Sequence, residues 1–354
     1  MRSGVSMSSH LQSRGHVDRP QTSPGITVAG IGESGLLERI LPRLQGAPPL
    51  LGPGDDAAVI AAPGGRFVFT IDTMVQNQDF RLNWPSGHGS TGFDVGWKSA
   101  AQNLSDVNAM GAIATSAVIS LTIPSTTEVR WVEDFADGFS AAVRELGAGE
   151  CVIAGGDLSR GGELSVTTAV TGRIVTTDPV LRSGAQVGDV VAVGGMLGAA
   201  AAGFELLESS EPEGPEPNDS HLFIAGQMRP RPDLSAGPEA ARHGATAMMD
   251  ISDGLLRDLP RLAHASGVAI DVVRNQLVDA AAGGVMDWAR RAGRNPEEFV
   301  LQAGEDFALL ATFPPSTSIP GVFTPIGRVV QRTSGGFLFL DGARVDATGW
   351  DHFE

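Results

Sequence analysis

Apolar positions along the chain follow two periods, one of strands and one of helices. From 66 to 73 the residues alternate, so Phe67, Phe69 and Ile71 share one face of a strand and Val68, Thr70 and Asp72 the other. Leu36, Leu37, Ile40, Leu41 and Leu44 recur at helical spacing just before it. A longer helix is expected over 93–110, ending at Gly111, a natural residue for the left-handed turn after a helix. Its buried face carries Trp97, Ala100, Ala101, Leu104, Val107 and Met110, while Lys98, Gln102, Asn103 and Asp106 fall off that stripe. A strand over 115–121, a helix over 127–146 and a strand over 151–154 follow. This last strand is expected to open into a turn at Gly155-Gly156-Asp157, and a β-rich run over 163–176 closes the half.

The second half repeats the mixture. A turn after Arg182 leads to a buried strand over 190–193 and an Ala-rich helix over 197–207. A short apolar strand ends on Asp250, with Ser252 placed to cap the next helix and Asp253 in its first turn. That helix has Leu255, Leu256, Leu259, Leu262 and Ala263 as its buried stripe and Pro260 inside it, where a kink is expected. QAGEDFALL at 302–310 reads as a turn, with Glu305 and Asp306 at its tip, entering a strand. The fold class is therefore α/β (α+β), in two domains. The expected boundaries are a disordered extension over 1–28, an N-terminal domain over 29–178 and a C-terminal domain over 179–354, with a flexible acidic insertion at 208–220.

Composition narrows the function. The 354 residues include 41 acids against 25 Lys and Arg, a net charge of −16. Such a balance disfavours nucleic acid and anionic membrane surfaces, which require a basic face, and suits a protein that gathers cations. A single cysteine, Cys151, rules out an internal disulfide framework and fits a reducing cytoplasm; its apolar surroundings suggest a buried structural thiol. The first 28 residues lack the apolar core of a signal peptide, and the run over 190–204 is shorter than the ~20 residues a membrane span needs. A soluble, cytoplasmic protein is expected.

The acids are not scattered. Asp55 and Asp56, Asp72, Asp106, Asp157, Asp250 and Asp253, and Glu305 and Asp306 sit mostly beside Gly or Ser at element junctions. Around Asp55, Asp56 and Asp72, three carboxylates and the Thr70 hydroxyl converge with no Lys or Arg adjacent to them, an arrangement that calls for a cation. Hard oxygen donors in such number point to several Mg²⁺ ions holding a polyphosphate. No P-loop, dinucleotide-binding glycine motif, Cys/His zinc spacing or GxSxG elbow is present. Chemistry at a clamped phosphoryl group needs positioning and charge neutralisation more than a side-chain nucleophile or base.

GDDAA at 54–58, TIDTMV at 70–75, QNLSDVNAMGA at 102–112, GGD at 155–157, RSGAQVGD at 182–189, RPRP at 229–232, DISDGLLRDL at 250–259 and GEDFAL at 304–309 together resemble the thiamine-monophosphate kinase family. The resemblance runs in order from about residue 30 to the C-terminus. It implies the two-domain fold of the aminoimidazole ribonucleotide synthetase superfamily, a homodimer built through the N-terminal domains, and ATP bound as co-substrate on several Mg²⁺ ions. By position, Asp56, Thr70, Asp72, Asp106, Asp157, Asp250 and Asp253 look like metal ligands, and Gly156, Asp157, Arg182 and Ser252 like ATP contacts. Glu305 and Trp350 would meet thiamine monophosphate. Asp79 stands where the family typically has a substrate-binding histidine. The implied reaction is direct in-line transfer of the ATP γ-phosphoryl group to the acceptor phosphate, already ionised at neutral pH, so that no general base is required. Two alternatives remain at this point: a superfamily enzyme with another acceptor, and a nucleotide- and Mg²⁺-binding regulator without turnover.

Overall fold

The computed structural model describes residues 50–51, 55–62, 65–210, 220–302, 304–333 and 336–346, all within one compact unit spanning Gly46–Trp350. The expected helix before residue 45, the extension over 1–28, most of the acidic insertion and Trp350 lie outside these residues.

The first sheet is formed by β1 (Ala58–Ala62), β2 (Gly65–Val75), β3 (Ala112–Ile123), β4 (Val152–Arg160) and β5 (Ser165–Ile174), in the order β1-β2-β5-β3-β4. All pairs are antiparallel except β3 with β4. The alternation in 66–73 is realised: Val68 and Thr70 are buried, while Ile71 is 59% exposed. The buried face is covered by α1 (Gly92–Ala109), with α2 (Val129–Glu145) packed on α1. A methyl group on Gly172 of β5 would lie 2.5 Å from Val107, so glycine there lets α1 approach the sheet. Gly96 and Gly138 do the same between the helices, where a Cβ would fall 2.1 Å from the Phe135 and Phe93 carbonyl oxygens. Thr91 and Asp94 form a reciprocal capping box that fixes the start of α1.

The second sheet contains β6 (Val190–Gly194), β7 (Ala247–Ile251), β8 (Ala269–Val272), β9 (Ala308–Phe313), β10 (Phe323–Val330), β11 (Leu338–Leu340) and β12 (Ala343–Arg344), in the order β12-β11-β8-β10-β6-β9-β7. Strands buried on both faces divide their side chains between two cores. Val191, Val193, Met249, Ile251 and Leu310 pack among α3 (Ala199–Glu208), α4 (Ser220–Met228), α6 (Leu255–Ser266) and the later helices α8 (Val285–Arg291) and α9 (Pro296–Leu301). Ala192, Met248, Leu309 and Ala311 pack instead with α5 (Ala236–Arg242) and Ala109 of α1. The short α7 (Leu277–Ala280) completes the helices among the described residues. Helix α1 thus touches both sheets. Asp250, two residues after Met248, points to the α1 side of β7 by the same alternation.

Three local expectations are corrected. β4 does not end before Gly155-Gly156-Asp157 but runs through them as an edge strand, because Gly155, Gly156 and Asp157 pair with Val118, Ile119 and Ser120. Ser252 does not cap α6: its N-cap is Gly254 at φ 104°, a backbone only glycine adopts readily, and no side chain caps it. Asp306 joins no acidic site. Its carboxylate accepts the Gly198 and Ala200 amides at 2.6 and 2.9 Å and so caps α3 from the far end of the chain. Pro260 lies within α6, which continues to Ser266; nothing in the structure explains that residue there.

Desolvation, reinforced by Glu305 and opposed by the three α3 amides, pushes the Asp306 carboxyl up to about 7. A raised acid pKa stabilises the fold below the unfolded value, 3.8, and that stability is lost as pH rises through about 7. Asp306→Asn, which keeps an acceptor oxygen but cannot ionise, is expected to remove a slope of up to roughly 1.4 kcal/mol per pH unit from the pH 4–7 stability profile. Asp306→Ala also loses the cap and costs about 1–2 kcal/mol. Urea unfolding across that range checks both.

Candidate active site

Three carboxylates from three separate elements meet between the sheets. Asp56 precedes β1, Asp106 lies in the last two turns of α1, and Asp250 sits in β7; one oxygen from each falls within 4.8 Å of the others. Asp56 and Asp250 are buried. The Thr70 hydroxyl donates to Asp106 Oδ2 at 2.7 Å, and Asp72, on the same face of β2, shares a hydrogen bond with Asp106. Burial, then the charges of Asp72, Asp250 and Asp56, push the Asp106 carboxyl well above the ordinary range. Asp250 is raised likewise by burial and by Asp56, with Arg182 opposing. Asp72 is raised chiefly by burial.

The assembly has one basic partner that the local sequence does not place. Arg182 reaches Asp56 through two hydrogen bonds, Nη2 to Oδ1 at 2.9 Å and Nε to Oδ2 at 3.2 Å, and its backbone amide donates to Asp55. The expectation of acids without an arginine is corrected accordingly: the pairing spans 126 residues and is invisible to spacing.

The remaining residues singled out by sequence are distributed around this centre. Asp253 stands apart, ion-paired to Arg261 at 2.6 Å and near Arg257 at 3.7 Å, while its amide donates to Asp258. Asp258 is buried with its carboxyl pushed up to about 7, by desolvation and then by Asp253. Gly156 and Asp157 lie on exposed β4, where Asp157 accepts from the Ser159 hydroxyl. Asp157 shares a cross-strand row with Ser120, and so belongs to the sheet face away from α1. The Ser252 carbonyl accepts the Glu305 amide at 2.9 Å, and Gly304 packs so closely that a Cβ would lie 2.0 Å from that oxygen. The loops of Asp250 and Glu305 are thereby locked together. Asp79 accepts the Val75 amide at 2.7 Å and closes the turn after β2. Lys98, which the helical stripe set aside, is buried and ion-paired to Glu305 at 2.6 Å.

Four oxygen-bearing side chains at Asp56, Thr70, Asp106 and Asp250, with Asp72 adjoining, form a hard donor set whose charges repel unless protonated or bridged. That fits a divalent cation such as Mg²⁺. Because Asp106 and Asp250 retain protons above the ordinary carboxylate range, cation binding must release them. Affinity for Mg²⁺ or Mn²⁺ is therefore expected to rise with pH, and calorimetry in buffers of different ionisation enthalpy should read proton uptake by the buffer.

Comparison with known proteins first defines the class. The family model described as AIR synthase related protein, N-terminal domain, matches residues 54–174, which hold the first sheet and both its helices. The hydrogenase maturation protein HypE in complex with ATP shares the fold at TM-score 0.59 and 16% identity. Nearer relatives narrow it. The thiamine-monophosphate kinase of Mycobacterium tuberculosis is 39% identical over 329 residues, 92% of this chain and 93% of that protein. That of Aquifex aeolicus is 34% identical over 325 residues, 91% and 98% of the two. The structure of AaThiL complexed with AMPPCP and TMP superposes at TM-score 0.82 with 31% identity, covering 93% of this chain and all of that one. This chain belongs to the thiamine-monophosphate kinase family.

Proposed function

We propose that the protein transfers the γ-phosphoryl group of ATP to the phosphate of thiamine monophosphate, giving thiamine diphosphate and ADP. The observation that carries this reading is the Asp56–Asp106–Asp250 cluster, held between the two sheets in a chain of this family. An oxygen of the acceptor phosphate attacks the γ-phosphorus, and the bond to the β,γ-bridging oxygen breaks, its electron pair leaving with ADP. The acceptor's second pKa is near 6, so it arrives ionised and no side chain has to take a proton. Mg²⁺ ions, when bound, would neutralise the charge of the two phosphate groups.

Within this reading Asp56, Thr70, Asp72, Asp106 and Asp250 hold the ions, joined by Asp157 and Asp253. Gly156, Arg182 and Ser252 hold ATP, and Asp79, Glu305 and Trp350 the acceptor. Gly156, Asp157 and Trp350 enter through the family resemblance alone. The boundary near residue 178 separates the two sheets, and we read it as a domain boundary. No helix among the described residues is long and apolar enough to cross a membrane, and a cytoplasmic location is part of this proposal.

A homodimer belongs to the same proposal. The face of the first sheet away from α1 carries Ile71 and Val118 at 59 and 46% exposure, and β4 is a nine-residue edge strand with Val152 and Leu158 63 and 67% exposed. An open apolar edge of that length invites another strand, and a second copy is the occupant that a soluble enzyme supplies. Leu158→Lys is expected to shift sedimentation from dimer toward monomer; an unchanged sedimentation coefficient would count against this edge.

The activity is tested by coupled ADP release with Mg·ATP and a panel of acceptors. Release only with thiamine monophosphate is expected. Release with thiamine or an aminoimidazole precursor, or with none, would replace the reading.

A further inference from the structure

Glu305 is held by more machinery than contact with an acceptor alone requires. It adopts φ 67°, and Phe307 two residues on adopts φ 51°, both in the left-handed region that non-glycine residues avoid. Such backbone persists only where the surroundings over-determine it. Here Gly304 is pressed onto the Ser252 carbonyl, the Glu305 amide bonds to that same oxygen, and Asp306 is fixed as the α3 cap.

The side chain is fixed as firmly. Lys98 Nζ lies 2.6 Å from Glu305 Oε1, and Gln227 Nε2 donates to Oε2 at 2.5 Å. Both donors are almost wholly buried, at 4 and 3% exposure, and come from different helices, α1 and α4. Lys98 also donates to the Asp79 carbonyl at 3.1 Å, so one ammonium ties the turn after β2 to the Glu305 turn. Asp79, Lys98 and Gln227 line one cleft. The end of α4 is clamped beside it, because Arg229 pairs with Asp94 of α1 and the Trp97 indole donates to the Pro230 carbonyl at 2.8 Å. An ammonium removed from water is retained only where paired, and this one serves two loops at once.

We propose that Lys98 and Gln227 are positioning residues for the phosphoryl acceptor, orienting the Glu305 carboxylate and holding the Asp79 turn against it. The proposal rests on the reading of Glu305 as an acceptor contact given above. Among the described residues the hydrogen bonds and ion pair of Lys98 and Gln227 go to Asp79 and Glu305 and not to Asp56, Asp106 or Asp250, which places their role on the acceptor side.

The test compares Lys98→Met, Lys98→Arg and Gln227→Leu in the full-length chain, with wild-type turnover of thiamine monophosphate established first. Lys98→Met and Gln227→Leu are expected to raise the acceptor KM by about 10- to 100-fold. Affinity for the Mg²⁺ complex of a non-hydrolysable ATP analogue, titrated without acceptor, should stay at the wild-type value, and Lys98→Arg should recover part of the KM. An unchanged acceptor KM in folded variants, or analogue affinity falling in parallel, would overturn the proposal. So would failure of both Lys98→Met and Gln227→Leu to fold, which would make the role structural. An inactive wild type would instead remove the proposed activity, and this inference with it.

Discussion

Asp106→Asn is expected to reduce turnover by about 10³-fold while raising the stability of the metal-free protein. Both effects follow from one arrangement. Asp106 is buried against Asp72, Asp250 and Asp56, and each neighbour adds to the cost of its negative charge. In the proposed reading an ion occupies this site, and without one its carboxylates repel each other. A carboxyl raised in the fold contributes stability that disappears as pH climbs through its folded pKa, because the unfolded chain has already given up the proton. Asparagine has no such loss, so the variant's advantage should be absent below the ordinary carboxylate range and grow at higher pH, reaching about 1–2 kcal/mol. The amide keeps the shape and a partner for Thr70 but not the charge that an ion requires. Thermal melts with and without Mg²⁺ across pH provide the check, and Mg²⁺ should stabilise the wild type and not the variant. A destabilised Asp106→Asn with full turnover would contradict the account of the site.

Arg182→Met should be the most damaging change to stability among the site residues. The Asp56 side chain is wholly shielded from solvent, and its ordered basic partner is the Arg182 guanidinium, bonded through both oxygens. Removing the cation leaves a buried carboxylate uncompensated, at a cost of about 3–5 kcal/mol. The backbone amide of residue 182 still donates to Asp55 in this variant, so the loss reports the guanidinium alone. Adding Asp56→Asn should recover much of the loss, since the double variant no longer strands the Asp56 charge. Urea unfolding of the two single variants and the double forms a cycle, and additivity of the losses would show that the pair is not coupled. ATP-analogue affinity should fall in Arg182→Met as well, as expected for a guanidinium beside phosphate.

What the sequence makes legible here is what local periodicity encodes. The strand at 66–73, the stripe of α1 and the stripe of α6 are each written in a few consecutive residues, and each appears with the predicted face buried. Asp56, Asp106 and Asp250 were recognisable as a set because acids at element junctions recur, although their convergence depends on how three distant elements pack. Partners set by that packing left no local trace. Arg182 on Asp56, Asp306 on α3, and Lys98 with Gln227 on Glu305 are separated by 126, over 100 and up to 207 residues, and no spacing rule reaches so far. Lys98 offered one signal, a charged residue off the apolar stripe of a helix with polar neighbours at Gln102 and Asn103, and that signal reads equally as a solvated face. The Gly155-Gly156 pair misled for another reason: glycine suggests a turn, whereas here it lets β4 lie against β3.

Direct transfer of a phosphoryl group from ATP to thiamine monophosphate at this carboxylate-lined site is read by following the label from γ-labelled ATP. Label is expected in the terminal phosphate of thiamine diphosphate, in step with ADP, only when Mg²⁺ is present and without a labelled protein intermediate. Label accumulating as inorganic phosphate, or attached to the protein before it reaches the acceptor, would contradict it.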